Sequence, residues 1–184
     1  MNLNTIGQSE ARLFASGTSV LARAGVLPTS APRSRIEVSS PQIRRFEFHL
    51  PDGTVSVAQE GEEPVWFYSM LNKLQSIATL GPNWDSYGGA PLSFDAALAS
   101  LRFMAEYFSD SAVAPSVVPS SSGGVQLEWH RHAGDLEITF SPTGSYSAFF
   151  IDGQAGTEWE MESEMIDPRK LAAAVDAVTA AARE

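Results

Sequence analysis

Cysteine is absent from the 184 residues. That excludes disulfides, thiolate nucleophiles and thiolate zinc sites, and it is the composition expected of a reducing, cytoplasmic compartment. No apolar run approaches the roughly 20 residues needed to span a bilayer, so no membrane association is predicted. The start, MNLNTIGQSEARLF, lacks a basic segment followed by an apolar one, and no cleaved secretory signal is predicted. Histidine is scarce, with three residues, so any acid–base centre would rest mainly on carboxylates. No G-x-S-x-G, H-E-x-x-H or phosphate-loop pattern occurs. Nothing in the chain calls for a cofactor or a metal. The HRH run at His130–His132, with Glu128 two residues before it, reads as solvent-facing histidines at a strand end rather than as a metal site.

Positive charge is also scarce, and it is unevenly placed. Twelve basic residues face twenty-two acidic ones. Residues 1–45 carry a net +4, from six arginines against Glu10 and Glu37, and residues 46–184 a net −14. A body of that sign repels phosphate backbones, which excludes direct nucleic-acid binding by the folded part and favours basic or nucleic-acid-binding proteins as partners.

What is present is the material of one packed domain. The hydrophobic fraction is 43%, with four tryptophans, and a chain this long buries about two thirds of its unfolded surface. Residues 1–35 read as a basic Ala/Ser/Gly/Pro-rich arm, partly disordered or docked on a partner or second copy, with a homodimer through the arm as one outcome. Ile6, Leu13, Phe14, Val20 and Leu21 would line one side of a short helix there. Residues 36–184 read as a single α+β domain, an antiparallel sheet (a hairpin plus a three- to four-stranded meander) packed with two or three helices. IRRFEFHL and TVSVAQ flank the turn signal Asp52–Gly53. Pro64 suits the first helical position of a helix to about Thr79. Ser93 suits the N-cap of a second helix, with Asp95 in its first turn, and Asp167–Pro168 opens a third. Ser116–Pro119 is an edge strand candidate. GGVQLEWHRH, LEITF and SYSAFFI form the meander, the last strand apolar on both faces and so central or covered by a helix.

The pairing of NWDSYGGAP with GGVQLEW about thirty residues later, followed by a strand and a PTG turn, resembles a family of small uncharacterised bacterial proteins. The motif residues are Asn83, Trp84, Asp85, Tyr87, Pro91, Gly123, Gly124, Leu127, Glu128 and Trp129. The resemblance covers roughly residues 74–146, implies a recurring domain associated with mobile elements, and transfers no catalytic residue.

Two regions compete as functional sites. In GPNWDSYGGAP (Gly81–Pro91), Asn83, Trp84, Asp85 and Tyr87 would bind a small ligand, and Asp85 with Glu128 would form a catalytic carboxylate pair if the protein is an enzyme. The structural alternative has Trp84 plugging the core between two helices and Asp85 bonding nearby amides. In TEWEMESEM (Thr157–Met165), a strand would put Glu158, Glu160, Glu162 and Glu164 on one face, about 6.6–6.8 Å apart, with Trp159, Met161 and Met165 anchoring the other. That spacing is on the order of the distance between phosphates along one nucleic-acid strand. Glu62, Glu63 and Asp152 are candidates to extend the row. A solvated edge strand using charge to block pairing has the same pattern. The leading expectation is a non-enzymatic binding or inhibitory module whose acidic face docks a basic protein surface; a ligand-binding protein or enzyme at the loop, and a structural subunit of a larger assembly, are the alternatives.

Overall fold

The computed structural model describes residues 18–22, 43–50, 53–60, 63–162 and 165–180. They form an α+β fold of three helices and two antiparallel sheets. One sheet has the order β1-β3-β2, from Thr18–Ala22, Ile43–Leu50 and Gly53–Glu60. The other is a five-stranded meander in sequence order, β4 (Ser116–Pro119), β5 (Val125–Arg131), β6 (Gly134–Phe140), β7 (Tyr146–Asp152) and β8 (Glu158–Glu162). The helices are α1 (Phe67–Ala78), α2 (Phe94–Tyr107) and α3 (Pro168–Thr179). None is long and apolar enough to cross a membrane.

The expected single sheet is therefore two, because α1 and α2 are inserted between the hairpin and the meander. α2 lies against β1 and β3 on one side and β5 and β6 on the other. Leu50, Val55 and Val57 of the first sheet share one buried cluster with Phe67, Met70, Leu74, Leu101 and Met104 of the helices and with Leu127, Leu136, Ile138 and Phe140 of the second. The segment expected to hold a helix through Val20 and Leu21 instead contributes β1, registered on β3 from Thr18↔Gln59 to Ala22↔Val55. An open β3 edge offers that backbone a ladder, which five residues of helix cannot match at the cost of nucleation. Residues 1–17 and 23–42, including the proposed arm boundary, lie outside the described residues.

The helix starts follow local chemistry. Ser93 Oγ accepts from the Ala96 amide at 3.0 Å and donates to the Pro142 carbonyl at 2.8 Å, capping α2 and tying it to the β6–β7 turn. Asp167 accepts from the Arg169 amide at 2.9 Å, with Pro168 as the first residue of α3. α1 begins three residues later than Pro64 suggests. The Pro64 carbonyl accepts from the Phe67 amide at 3.0 Å, and Val65 donates to the Asp110 carbonyl, so Pro64 opens a separate turn. That turn seats Trp66 in the core with its indole N–H on the Ser109 carbonyl at 2.9 Å.

Strand parity sets the two faces of the meander. Val125, Leu127, Trp129, Leu136, Ile138, Phe140, Ala148 and Phe150 are all buried under the helices. On the opposite face no described residue is buried. β7 takes the first of its two expected places, inside the sheet between β6 and β8; on this face Phe149 and Ile151 are half-buried, and no helix among the described elements packs extensively on the strand.

Candidate functional site

The Gly81–Pro91 loop spends its polar atoms on itself. Asn83 takes a positive φ of 63°, donates its amide to the Gly89 carbonyl at 2.7 Å and accepts from Gly88 N–H through Oδ1 at 2.8 Å. Asp85 Oδ1 accepts from the amides of Tyr87 and Gly89, both at 2.8 Å. Those two donors hold the carboxyl below its ordinary range, the Tyr87 amide contributing most. Ser86 also has a positive φ, of 65°, and its amide reaches the Asn83 carbonyl at 3.0 Å. Gly89 is required by contact rather than by a positive φ: a methyl there would lie 2.8 Å from the Trp84 indole nitrogen and 2.9 Å from the Asp85 carboxyl carbon.

Trp84 does not plug the core. It is half-buried, outside the hydrophobic cluster, and donates its indole N–H to the Ala90 carbonyl of its own loop at 3.1 Å. A tryptophan whose N–H is satisfied six residues away has no need of an interior partner. Tyr87 is 95% exposed at the tip. The NWDSYGGAP segment and the Gly123–Gly124 turn meet: Ala90 N–H donates to the Ser121 carbonyl at 2.8 Å, Ser93 N–H to that of Gly123 at 2.9 Å, and a methyl on Gly123 would fall 2.7 Å from the Pro91 carbonyl oxygen. The loop is thus bolted to the β4–β5 turn.

Glu128 belongs to a different surface. It lies on the uncovered face of β5, opposite Ser116 and Glu137, with its carboxylate 3.7 Å from His130 Nε2. Five residues separate it from the loop's contact at Gly123, about 16 Å of strand. Among the described residues no hydrogen bond or ion pair joins it to Asp85. His130 Nδ1 lies 3.1 Å from Asp135 across the ladder, and His132 is already in the turn beyond β5. No group of three or more His, Asp or Glu among the described residues is arranged to hold a metal ion.

The glutamate row sits on β8, an edge strand whose exposure alternates along its length. Glu158, Glu160 and Glu162 are exposed, and among the described residues none of their carboxylates has a hydrogen-bond or ion-pair partner. Glu164 and Glu62 lie outside the described residues. Trp159 and Met161 turn inward. The Trp159 ring packs 5.7 Å from Phe150, with Lys170 Nζ of α3 5.1 Å above it. Met165 is no anchor, being 73% exposed past the end of the strand. Asp152 has the inward parity of Phe150, and its Oδ1 accepts from the amides of Gln154 and Ala155, both at 2.8 Å, so it holds the β7–β8 turn instead of extending the row. Those amides lower its carboxyl pKa, Ala155 foremost. Glu63 precedes α1, where it accepts from the Tyr68 hydroxyl, and is not part of this sheet.

The registers extend the acidic face beyond β8. Glu158, Ile151, Asp135 and His130 fall in one row across the sheet. Glu160, Phe149, Glu137, Glu128 and Ser116 fall in the next. Glu162, Ser147, Thr139 and Gln126 make a third, and Gln126 donates to Glu137 at 2.9 Å. Beside this third row lies a shallow depression of about 220 Å³ lined by Thr139, Ser141, Ser145, Tyr146, Ser147 and Glu162. Asp135, Glu137, Phe149 and Ile151 belong to the same face and were not expected beside the glutamate row. Their parity was visible, but their adjacency to the glutamate row depends on strand register.

Comparison with protein-family models, curated proteins and solved structures yields no match for this chain.

Proposed function

We propose that the protein is a non-enzymatic binding or inhibitory module that docks a Lys/Arg-rich surface of another protein on the uncovered face of its five-stranded sheet. The observation that carries the reading is the row Glu158, Glu160 and Glu162: three exposed carboxylates without partners among the described residues, on an edge strand anchored from behind by Trp159. Neighbouring charges about 7 Å apart repel by about 0.6 kcal/mol in water and about 2.4 kcal/mol at an effective dielectric of 20. An opposing cationic surface removes that repulsion, and its charge contributes chiefly to association rate and specificity. If the partner is a nucleic-acid-binding protein, the row competes with phosphates for its basic groove, as an inhibitor or antitoxin of a phage or mobile element would. A ligand or catalytic site at the loop is less supported, because Asn83 Oδ1, Asp85 Oδ1 and the Trp84 N–H are consumed by backbone partners.

The test is binding to a basic protein bait as salt rises from roughly 0.01 M to 0.15 M, where the screening length falls from about 30 Å to about 8 Å. Capture is expected to weaken steeply over this range and to be lost in the folded Glu158→Gln/Glu160→Gln/Glu162→Gln variant. Capture that survives the triple change at low salt refutes the proposal.

A further inference from the structure

The sheet face that no described helix covers carries an apolar strip between two acidic columns. Phe149 and Ile151 stand side by side on β7, about 6.8 Å apart. Asp135 and Glu137 flank them on β6, and Glu158 and Glu160 on β8. Neighbouring strands lie about 4.8 Å apart, so the two columns are about 9.6 Å from one another at the backbone. Such a face calls for an occupant apolar along its midline and cationic on both sides.

We infer that the element received here is a basic amphipathic helix of the partner, lying along β7; the inference rests on the docking function proposed above and names what that surface takes. Three features favour a helix. Its diameter with side chains, about 10–12 Å, matches the gap between the columns. Its apolar stripe recurs every 5.4 Å turn, close to the separation of Phe149 and Ile151. Lysine and arginine on either side of that stripe reach outward and down to the columns while their stems cover apolar surface. An extended strand laid face-down directs its inward side chains along one line, so it fills the strip but leaves one or both columns without cations. At the Ser147 end of the strip, the hydroxyl-lined depression beside Glu162 has acceptor oxygens and a carboxylate for the head of one further lysine or arginine. The columns are unequal: His130 and Gln126 already contact the β6 side, whereas Glu158 and Glu160 are unpartnered among the described residues, so the β8 flank takes the stronger cations.

The experiment uses the full chain and two synthetic peptides of identical composition. One places leucines at i, i+3, i+4 and i+7 with lysine and arginine on both flanks; the other arranges the same residues in strict alternation, suited to a strand. Binding is read at low salt by fluorescence anisotropy and by amide shifts in an isotope-labelled sample. The helical peptide is expected to bind roughly tenfold tighter than its isomer, a difference of about 1.4 kcal/mol, with shifts centred on Phe149 and Ile151. Ile151→Thr and Phe149→Ala, each checked for folding by circular dichroism, should reduce the helical peptide to its isomer's affinity. If Phe149→Ala unfolds, the β-branched Ile151→Thr carries the comparison alone. Equal binding of the two peptides, or preference for the alternating one, with shifts on this face overturns the helix inference and leaves charge-driven docking standing, whereas shifts centred on another surface overturn both. No binding by either peptide removes both.

Discussion

The Gly81–Pro91 loop and strand β8 are both short and polar, each with one tryptophan, yet they dispose of their polar atoms in opposite ways. In the loop, one carboxylate oxygen serves two amides and an asparagine serves a third. On β8, three carboxylates project from a strand without partners among the described residues. Polar residues engaged in backbone hydrogen bonds fix conformation, while unengaged ones retain free energy for an external partner. Density of unusual residues therefore marks rigidity in this chain, and a plain alternating pattern marks the surface left available.

Substitutions in the two halves of that contrast should differ in reach. Trp159→Ala strips β8 of its packing on Phe150 and Lys170, and should cost about 2–4 kcal/mol by thermal or urea unfolding, with partner binding lost alongside. Gly89→Ala comes next, forcing a methyl onto the Trp84 ring and the Asp85 carboxyl; overpacking of this kind costs about 1–3 kcal/mol and should leave cationic peptide binding on the sheet intact. Asp85→Ala should lower the melting temperature at neutral pH in a pH-dependent way. Its folded-state pKa is held below the ordinary aspartate range by the Tyr87 and Gly89 amides, so the carboxylate's contribution is present above that ordinary range and fades as pH falls through the lower folded value. The gap between wild type and variant should thus close in acid; a gap constant with pH would assign the effect to something other than the ionised carboxylate. The smallest change is expected from the triple glutamine substitution on β8, within about 0.5 kcal/mol of wild type. A large loss of stability there would show that the row is structural and dissolve the contrast.

Much of this architecture was legible because it is locally encoded. Ser93, with an acceptor oxygen three residues before the Ala96 amide, and the Asp167–Pro168 pair specify helix starts without tertiary help. Alternation in VQLEW, LEITF and EWEME sorts each strand into faces. What could not be read is which neighbour meets each face. Nothing local to Phe149 or Ile151 says whether a helix covers them, since helix packing against β7 is decided by chain connections elsewhere. Trp84 misled for a related reason: size and hydrophobicity favour the interior, but a carbonyl six residues away met its one polar requirement at the surface. β1 was illegible as a strand because TSVLA acquires that conformation only beside β3.

β1 also bears on the order in which the molecule assembles. β2 and β3 meet across a tight connection, with Leu50 opposite Gly53, whereas Thr18 must find Gln59, about forty residues further along the chain. Loop-closure entropy disfavours the distant pairing until its template exists. The strand nearest the N-terminus therefore joins its sheet after the hairpin it borders, and the earliest stretch of the described fold to be synthesised is among the last to settle.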